Sequence, residues 1–345
     1  MTRYPRAALL LILTGATCIG AFQLSPSSIA VGSTAVKVVD LNQARTMKNS
    51  PLFAASAAAV SLTEEPDYTT GWTPGPEVTF GSSGLKLNIF GFYYGFMAIS
   101  LGFIWYAALT LCQIQRKLFP NIDKNRRVPN FVSHLWGTVL MHLTRCMPKV
   151  EGRENLEELY QPGTKKFKKP VMFVANHCSW MDIPFVAMAM GWLNYKIIAK
   201  HELLKVPILS KSLTECGHVM LDRSSRKSQI KTYKDGLGWL KKGVNLCTFA
   251  EGTRSVSGRM GEFKGGAFKM AEAVDSPIVP LSIHYSNIIN PKEYVFACRS
   301  TKSVKGKIII GKPVYTEGRS DEEVIAEVRQ QLIKNLPPSQ RPLEE

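Results

Sequence analysis

Short apolar segments alternate with helical segments from about residue 150 onward, and this alternation constrains the fold more than any other feature of the chain. The predicted strands are Val171–Ala175, Tyr195–Ala199, His218–Leu221, Leu246–Ala250, Ile278–Ile283 and Lys307–Gly311. The predicted helices are Asp182–Trp192, Ser228–Lys242, Ala267–Val274 and a last helix from Ser320. Near-continuous apolar strands are typical of parallel sheets covered on both faces. Residues 150–345 are therefore predicted to form an α/β domain, a mostly parallel sheet flanked by helices.

A second constraint is the absence of charged residues from Leu87 to Gln115. This run is long and apolar enough to cross a bilayer, and the basic residues that follow it would lie against anionic headgroups. A further helix is predicted at Asn130–Met147, with apolar residues at helical spacing: Phe131, Leu135, Val139, Leu143 and Cys146. Residues 85–149 are predicted to form a membrane-associated helix or a helical hairpin. Two soluble core helices are the alternative.

The N-terminal residues have the composition of targeting sequences. Arg3 and Arg6 precede an apolar run and then small residues, which is a signal-peptide pattern over residues 1–21. Residues 22–63 are rich in Ser, Ala and Thr, as transit peptides are, and 64–84 have the composition of a linker, so 22–84 are predicted to be disordered. This order resembles a bipartite plastid presequence. The predicted location is a plastid membrane, with the endoplasmic reticulum as the alternative.

The formal net charge of +16 indicates an anionic partner, either an acidic membrane surface or a phosphorylated substrate. Nucleic acid is not predicted, because the chain has neither zinc-finger spacing nor an RNP-like aromatic run. The seven cysteines are scattered without a C-x-x-C pair, which favours reduced thiols over a disulfide framework. The six histidines show no H-E-x-x-H or similar spacing, so no metal site is predicted.

A histidine follows the predicted strand Val171–Ala175, with a carboxylate five residues further on. Residues five apart do not share a helix face, so His177 can reach Asp182 only from the turn before the helix. Ser179 as N-cap with Asp182 at N3 would form a capping box and point the carboxylate back toward that turn. His177 would then be a general base oriented by Asp182. A capping box with a passing histidine, or Cys178 as a thiol nucleophile, is the alternative.

A second polar turn, Glu251-Gly252-Thr253-Arg254, follows the strand Leu246–Ala250. Gly252 permits a tight turn, Thr253 offers a hydroxyl, and the planar guanidinium of Arg254 suits phosphate oxygens. Glu251 is expected to orient Arg254 or nearby amides. Two further cations follow neighbouring strands and are possible phosphate contacts: Arg223 and Lys200. For Arg223, an ion pair with Asp222 or another acid is the alternative.

These motifs together resemble the glycerolipid acyltransferase family, in particular 1-acyl-sn-glycerol-3-phosphate acyltransferases. The resemblance covers about residues 150–315. It has four blocks in order: Asn176–Asp182, Gly217–Arg223, Phe249–Ser255 and Ile278–Leu281. The third block departs from the family at Ala250, where proline is usual, and this departure affects turn geometry without removing a reacting group.

The resemblance implies that His177 deprotonates the sn-2 hydroxyl of lysophosphatidate, which attacks the thioester of acyl-CoA or acyl-ACP to give phosphatidate. It implies that Asp182 orients His177 and that the glycerol phosphate is held by Glu251, Gly252, Thr253 and Arg254, with Arg223 and Lys200 as further contacts. It implies no metal, cofactor or covalent acyl-enzyme. The alternatives are transfer to glycerol 3-phosphate or another lysophospholipid, and a non-catalytic membrane lipid-binding protein. A serine lipid hydrolase is disfavoured, because no G-x-S-x-G elbow is present.

Overall fold

The computed structural model describes residues 65–343, and from Tyr68 onward these belong to one compact unit. The predicted signal peptide over 1–21 and nearly all of the predicted transit-like segment lie outside the described residues. The strands are β1 Glu77–Phe80, β2 Leu85–Asn88, β3 Lys149–Glu151, β4 Met172–Ala175, β5 Tyr195–Lys200, β6 Val219–Leu221, β7 Asn245–Phe249, β8 Ile278–His284 and β9 Lys307–Ile310. The α-helices are α1 Ile89–Leu118, α2 Arg127–Leu143, α3 Asp182–Met190, α4 Pro207–Glu215, α5 Arg226–Lys241, α6 Gly266–Glu272, α7 Ser286–Ile289, α8 Thr301–Val304 and α9 Asp321–Asn335.

Within the described residues, the main sheet has seven strands in the order β3-β9-β8-β4-β7-β5-β6. β8, β4, β7, β5 and β6 run parallel to one another, whereas β9 is antiparallel to β8 and β3 is parallel to β9. The prediction of an α/β fold with a mostly parallel sheet is confirmed. Because β4, β7, β5 and β6 share one direction, the loops that follow them emerge at the same edge of the sheet, where α/β proteins bind ligands.

The central strands are buried on both faces, which explains their uninterrupted apolar sequence. In β4, Phe173 faces one core cluster together with Phe185 of α3. Its neighbour Met172 faces the opposite cluster together with Phe268 of α6. This alternation is the two-residue period of an extended strand between two helical layers. The register of β4 is thereby fixed, and so is the point at which the chain leaves the sheet toward His177.

Several elements differ from the sequence prediction. Residues 64–84 were predicted to be linker, but β1 lies within this range and pairs with β2 as an antiparallel hairpin. β3 and α4 were not predicted, because a three-residue strand and a nine-residue helix give too little periodic pattern. The capping box of the last helix is present as predicted, with Ser320 and Glu323 exchanging hydrogen bonds.

α1 and α2 form an antiparallel hairpin. The Trp105 and Trp136 rings stack with centroids 4.2 Å apart, and the Trp105 indole donates a hydrogen bond to Ser133 Oγ at 3.1 Å. Nearer the start of α1, the Tyr93 hydroxyl donates to the Leu143 carbonyl at 2.9 Å. Cys146 was predicted to continue the apolar stripe of α2, but α2 ends at Leu143 and Cys146 is fully buried beyond it.

The large aliphatic and phenylalanine side chains that α1 exposes lie along one stripe. At 100° per residue, they fall within about 60° of a common direction; they are Ile89, Phe92, Phe96, Phe103, Ile104, Leu111, Ile114 and Leu118. The predicted apolar stripe of α2 is likewise exposed, at Phe131, Leu135, Val139 and Leu143. In the described part of the chain, α1 is the one helix long and apolar enough to cross a membrane.

The opposite face of α1 is docked on the α/β domain at both ends. Near its start, a Cβ on Gly95 would lie 2.4 Å from the Phe296 ring, so only glycine permits this close approach. Near its end, Arg116 makes a bidentate ion pair with the buried Glu215 of α4, with a shortest distance of 2.9 Å. Arg126 approaches the same carboxylate at 3.8 Å. Helix α1 is therefore attached to the domain along its length.

Lys196 in β5 is fully buried and has no carboxylate within 4 Å among the described residues. Its ammonium donates to Asn194 Oδ1 at 3.0 Å and to the Arg126 carbonyl at 3.3 Å, and lies 5.1 Å from the Trp239 ring centroid. Burial lowers the pKa of Lys196 from 10.5 to about 8.

This lowered pKa predicts a pH-dependent stability. Between pH 8 and 10.5 the unfolded chain keeps a proton on Lys196 that the folded chain has lost, so the free energy of unfolding rises with pH in this window. The full gain is about 3 kcal/mol. We expect denaturant unfolding to give a higher free energy of unfolding at pH 10 than at pH 7.5 in the wild type. The same difference should be smaller in Lys196→Met. Equal pH dependence in the two proteins would contradict the assignment.

Candidate active site

The loop after β4 is tied to the neighbouring strand β8 by one buried side chain. The Asn176 amide donates to the Ile283 carbonyl at 3.1 Å and accepts from the Ile283 N–H at 2.8 Å. These two bonds continue the strand pairing beyond the end of β4 through a side chain. The backbone of the next residue, His177, is thereby held in a fixed position at the edge of the sheet.

His177 and Asp182 form a hydrogen-bonded dyad. The Nδ1 atom of His177 lies 2.7 Å from Asp182 Oδ2. The same carboxylate oxygen accepts from the backbone N–H groups of Cys178 at 2.7 Å and Ser179 at 2.9 Å. The imidazole ring stacks on Phe249, with centroids 3.9 Å apart. A carboxylate can only accept here, so the Nδ1 proton points to Asp182 and Nε2 is left as the basic nitrogen.

The start of α3 differs in detail from the predicted capping box. The helix begins at Asp182, and Ser179 Oγ accepts from the Met181 N–H at 3.2 Å instead of capping Asp182. Only the reciprocal half of the box is present, the bond from the Ser179 N–H to the Asp182 carboxylate. Pro184 thus lies in the first turn of α3, where a missing N–H breaks no helical hydrogen bond.

Glu251 joins the two loops of the site. Its Oε1 accepts from the His177 N–H and its Oε2 from the Gly261 N–H, both at 2.8 Å. The loop after β7 makes a further bond to the first loop, from the Ser255 N–H to the His177 carbonyl at 2.8 Å. Burial raises the pKa of Glu251. Of the predicted roles for Glu251, orientation of nearby amides is the one observed, and both of its oxygens are occupied by the protein rather than open to substrate.

The two predicted phosphate cations with contacts to these loops are Arg254 and Arg223. The Arg254 guanidinium carbon lies 4.8 Å from the Trp180 ring centroid, so this side chain packs on the loop that carries His177. Arg223 packs over Gly252, where a Cβ would lie 3.0 Å from Arg223 Nη2. Gly252 also has a φ of 76°, so both conformation and space favour glycine there.

Among the described residues, no hydrogen bond or ion pair joins the remaining predicted site residues, Thr253 and Lys200, to the dyad. Thr253 is exposed in the turn after β7. Lys200 ends β5 at the same sheet edge and pairs with Glu202 at 3.4 Å. Ala250, at the position where the family usually has proline, donates its N–H to the Ala175 carbonyl at 3.3 Å, a bond that proline could not make. Asp222 binds Ser224 rather than Arg223.

In the described part of the chain, the hydrogen-bond partners of the Cys178 thiol include no histidine. Its sulfur lies 3.2 Å from Ser286 Oγ and 3.6 Å from Gln340 Nε2. Burial, and after it the charge of Asp182, raises the pKa of the thiol well above its usual value. The thiolate is the nucleophilic form, so this environment makes Cys178 a poor nucleophile. Residues 65–343 contain no group of three or more His, Cys, Asp or Glu side chains that could hold a metal ion.

Comparison with known proteins matches the region that contains this site. The family model described as Acyltransferase matches residues 147–284. A chloroplastic 1-acyl-sn-glycerol-3-phosphate acyltransferase of Brassica napus is 29% identical over 213 residues, 61% of this chain and 57% of the relative. A 1-acyl-sn-glycerol-3-phosphate acyltransferase of Saccharomyces cerevisiae is 34% identical over 197 residues, 54% of this chain and 59% of the relative.

The matched segment, residues 147–284, contains both loops of this site. The resemblance to glycerolipid acyltransferases that the four motifs predicted is confirmed. The fold is also similar to the crystal structure of a 1-acyl-sn-glycerophosphate acyltransferase from Thermotoga maritima, with a TM-score of 0.55 and 24% identity over 70% of this chain and 94% of that one. The chain spans 57% and 55% of the length of the chloroplastic relatives from Brassica napus and Arabidopsis thaliana.

The loops after β4, β7 and β6 thus bring together residues from three separate motifs: His177, Asp182, Glu251, Gly252, Arg254 and Arg223. Three polar residues that contact this site were not predicted from the sequence: Asn176 as a tie to β8, Ser286 and Gln340. Asn176 directly precedes His177 after a buried strand, which is a usable local signal. Ser286 and Gln340 are 104 residues from Asp182 and 162 from Cys178, and no local pattern links them to the site.

Proposed function

We propose that this acyltransferase domain moves a fatty acyl group from acyl-CoA or acyl-ACP to the sn-2 hydroxyl of lysophosphatidate, giving phosphatidate. The observation that carries the proposal is the 2.7 Å contact between His177 Nδ1 and Asp182 Oδ2. This contact places a proton on Nδ1, so that Nε2 is the basic nitrogen of the neutral imidazole. A neutral imidazole oriented by a buried carboxylate can accept the proton of an attacking alcohol.

The chemistry follows from that geometry in balanced steps. The lysophosphatidate hydroxyl loses its proton to His177 Nε2 as its oxygen forms a bond to the thioester carbonyl carbon. The carbon–sulfur bond then breaks, and the departing thiolate takes the proton from the imidazolium. Asp182 stabilises the transient positive charge on His177. A thioester is already activated, so the protein supplies a base and a fixed geometry, with no cofactor and no covalent acyl-enzyme.

The acceptor phosphate would be held by Arg254 and Arg223. Both guanidiniums pack on loops of the site: Arg254 on Trp180 of the loop that carries His177, and Arg223 over Gly252 of the loop after β7. A planar guanidinium binds phosphate oxygens through two parallel hydrogen bonds, which fixes orientation as well as charge. An acceptor anchored by its phosphate would thus present a hydroxyl to His177 at a defined distance.

The α1–α2 hairpin supports a lipid acceptor. Its outward faces carry continuous apolar stripes, including Phe92, Phe103 and Leu111 on α1 and Phe131 on α2. Surfaces of this size and polarity mark membrane-binding sites. Because α1 is docked on the domain at both ends, it would lie in the interface of one leaflet rather than cross the bilayer. The positive net charge would add attraction to anionic lipids.

Names of relatives support a plastid location. The Brassica napus and Arabidopsis thaliana relatives are both described as chloroplastic. We propose that this chain acts at a plastid membrane. A fluorescent protein fused after residues 1–80 should accumulate in plastids, and a reticular distribution that overlaps an endoplasmic reticulum marker would contradict this location.

The preference for one acceptor over another is measured with the purified full-length chain in mixed micelles. Acyl-CoA and acyl-ACP are each offered with lysophosphatidate, glycerol 3-phosphate or lysophosphatidylcholine, and radiolabelled products are separated by chromatography. We expect kcat/KM for lysophosphatidate to exceed that for either competitor by at least about tenfold, because only lysophosphatidate combines an exposed phosphate with an acyl chain for the membrane phase. Preferred transfer to glycerol 3-phosphate would contradict the proposal, as would preferred transfer to lysophosphatidylcholine.

A further inference from the structure

Asp182 has a fourth hydrogen-bond donor that is remote in sequence. The Ser286 hydroxyl donates to Asp182 Oδ1, the carboxylate oxygen that does not contact His177. Ser286 is fully buried, as is Asp182. It begins helix α7 directly after Tyr285, which has a φ of 59° in the left-handed region. This sharp turn after β8 directs the chain back toward the start of α3.

The hydroxyl of Ser286 belongs to a longer chain of hydrogen bonds whose donor directions are determined. The Tyr285 N–H donates to Gln340 Oε1 at 2.8 Å, which leaves Gln340 Nε2 to face the Ile283 carbonyl and the Cys178 sulfur. Ser286 has one hydroxyl proton, and Asp182 can only accept. In this pair Cys178 can therefore only be the donor, to Ser286 Oγ at 3.2 Å, and Asn287 Oδ1 at 4.0 Å is the other acceptor that the thiol faces.

The directions follow from the two ends of this chain, because Asp182 can only accept and Gln340 Oε1 already accepts from the Tyr285 N–H. Gln340 donates to Cys178, Cys178 to Ser286, and Ser286 to Asp182. The far end is anchored independently, because the Gln340 carbonyl accepts from the Met260 N–H at 2.8 Å. A fully satisfied buried network of this kind holds its members in one arrangement.

We propose that Ser286 is the positioning residue of the dyad: its hydroxyl, oriented by Cys178 and Gln340, prevents rotation of the Asp182 carboxylate and so keeps the His177 imidazole in the Nδ1–H form. The inference rests on the proposed function of His177 as a base. Without the Ser286 hydroxyl, the fully buried Oδ1 of Asp182 would lose its donor, and rotation of the carboxylate would weaken its hold on the imidazole. An imidazole with its proton on Nε2 cannot accept the proton of an alcohol there.

The test compares Ser286→Ala with a matched control, Ser282→Ala. Ser282 is also a fully buried serine, four residues earlier in β8, and its hydroxyl has no hydrogen-bond partner in the structure. For Ser286→Ala we expect kcat for acyl transfer to fall about 10- to 100-fold, as is common when the partner behind a functional histidine or carboxylate is removed, with KM for lysophosphatidate little changed. For Ser282→Ala we expect kcat within about twofold of the wild type.

Two measurements distinguish a positioning role of Ser286 from a general loss of structure in the variant. In an Asp182→Asn background, Ser286→Ala should lower kcat by less than about twofold, because residues that act through one another are non-additive. The ¹⁵N shifts of the His177 ring should show a single Nδ1–H tautomer in the wild type and Ser282→Ala, and a mixture in Ser286→Ala. An unchanged tautomer would overturn the proposal, as would an unchanged kcat or a full additional loss in the Asp182→Asn background.

The nuclear magnetic resonance readout needs no substrate. If the wild type fails to acylate any acceptor while the tautomer still depends on Ser286, the proposed function fails and the positioning role stands. If the wild type is active and Ser286→Ala matches it in both readouts, only the positioning role fails.

Discussion

Replacement of His177 with alanine is expected to lower kcat for acyl transfer to lysophosphatidate by about 10²- to 10⁴-fold, the contribution of a positioned general base. The reason is specific to the geometry. His177 is held by Asp182 at 2.7 Å and by stacking on Phe249 at 3.9 Å, so the acceptor hydroxyl meets a fixed nitrogen. Among the described residues, no other imidazole contacts these loops, so no second histidine can replace His177 as the base.

The measurement is initial-rate kinetics in mixed micelles, with thermal unfolding to confirm that His177→Ala is folded. The matched control is His142→Ala, because His142 is an exposed histidine of α2 whose ring makes a single hydrogen bond among the described residues, with the Thr138 carbonyl. It should retain kcat within about twofold of the wild type. If His177→Ala kept a tenth or more of the wild-type kcat, His177 would not be the base, and a non-catalytic lipid-binding role would become the better explanation.

Replacement of Glu251 with glutamine is expected to have the second largest effect, although Glu251 makes no contact with substrate in our proposal. Both carboxylate oxygens accept backbone N–H groups, from His177 and Gly261. An amide group in their place turns one acceptor into a donor that faces another donor. A buried unsatisfied donor costs about 1–3 kcal/mol, and a displacement of the His177 backbone by about 1 Å can lower the rate about 100-fold.

We therefore expect Glu251→Gln to lower kcat/KM about 100-fold and the free energy of unfolding by about 1–3 kcal/mol. Glu262→Gln is the matched control, since it makes the same chemical change at an exposed position of the same loop. It should change kcat/KM by less than about twofold and stability by less than about 0.5 kcal/mol. Wild-type activity in Glu251→Gln would show that the bridge between the two loops is dispensable.

The central sheet could be predicted because its signal is local. Each of β4, β7 and β8 is a run of buried residues in which apolar ones dominate, and a run of this kind between helices leaves few alternatives. The sheet edges could not be predicted in the same way. β3 has three residues and owes its strand conformation to pairing of Val150 with Ile308, 158 residues later. Its conformation is determined by tertiary context, which overrides local preference.

The same distinction between local and long-range signals applies to the residues of the site. The contact between His177 and Asp182 was predictable, since a five-residue spacing across a turn allows few geometries. The roles of Glu251 and Ser286 were not, because their partners come from other loops and their residue types are common there for other reasons. Glu251 was expected to face Arg254 or nearby amides, and only coordinates could show that it takes the amides of two loops.

The attachment of α1 at both ends has a consequence for access by lipids. A catalytic domain joined to a membrane anchor by a flexible segment can tumble above the bilayer. Here Gly95 against Phe296 and Arg116 against Glu215 leave no hinge between helix and domain. With the apolar stripe of α1 among the acyl chains, as we propose, the orientation and immersion depth of the whole domain would be set. The dyad would then lie at one constant height above the leaflet in which the proposed acceptor diffuses, and lipids would arrive by lateral movement rather than by extraction into water.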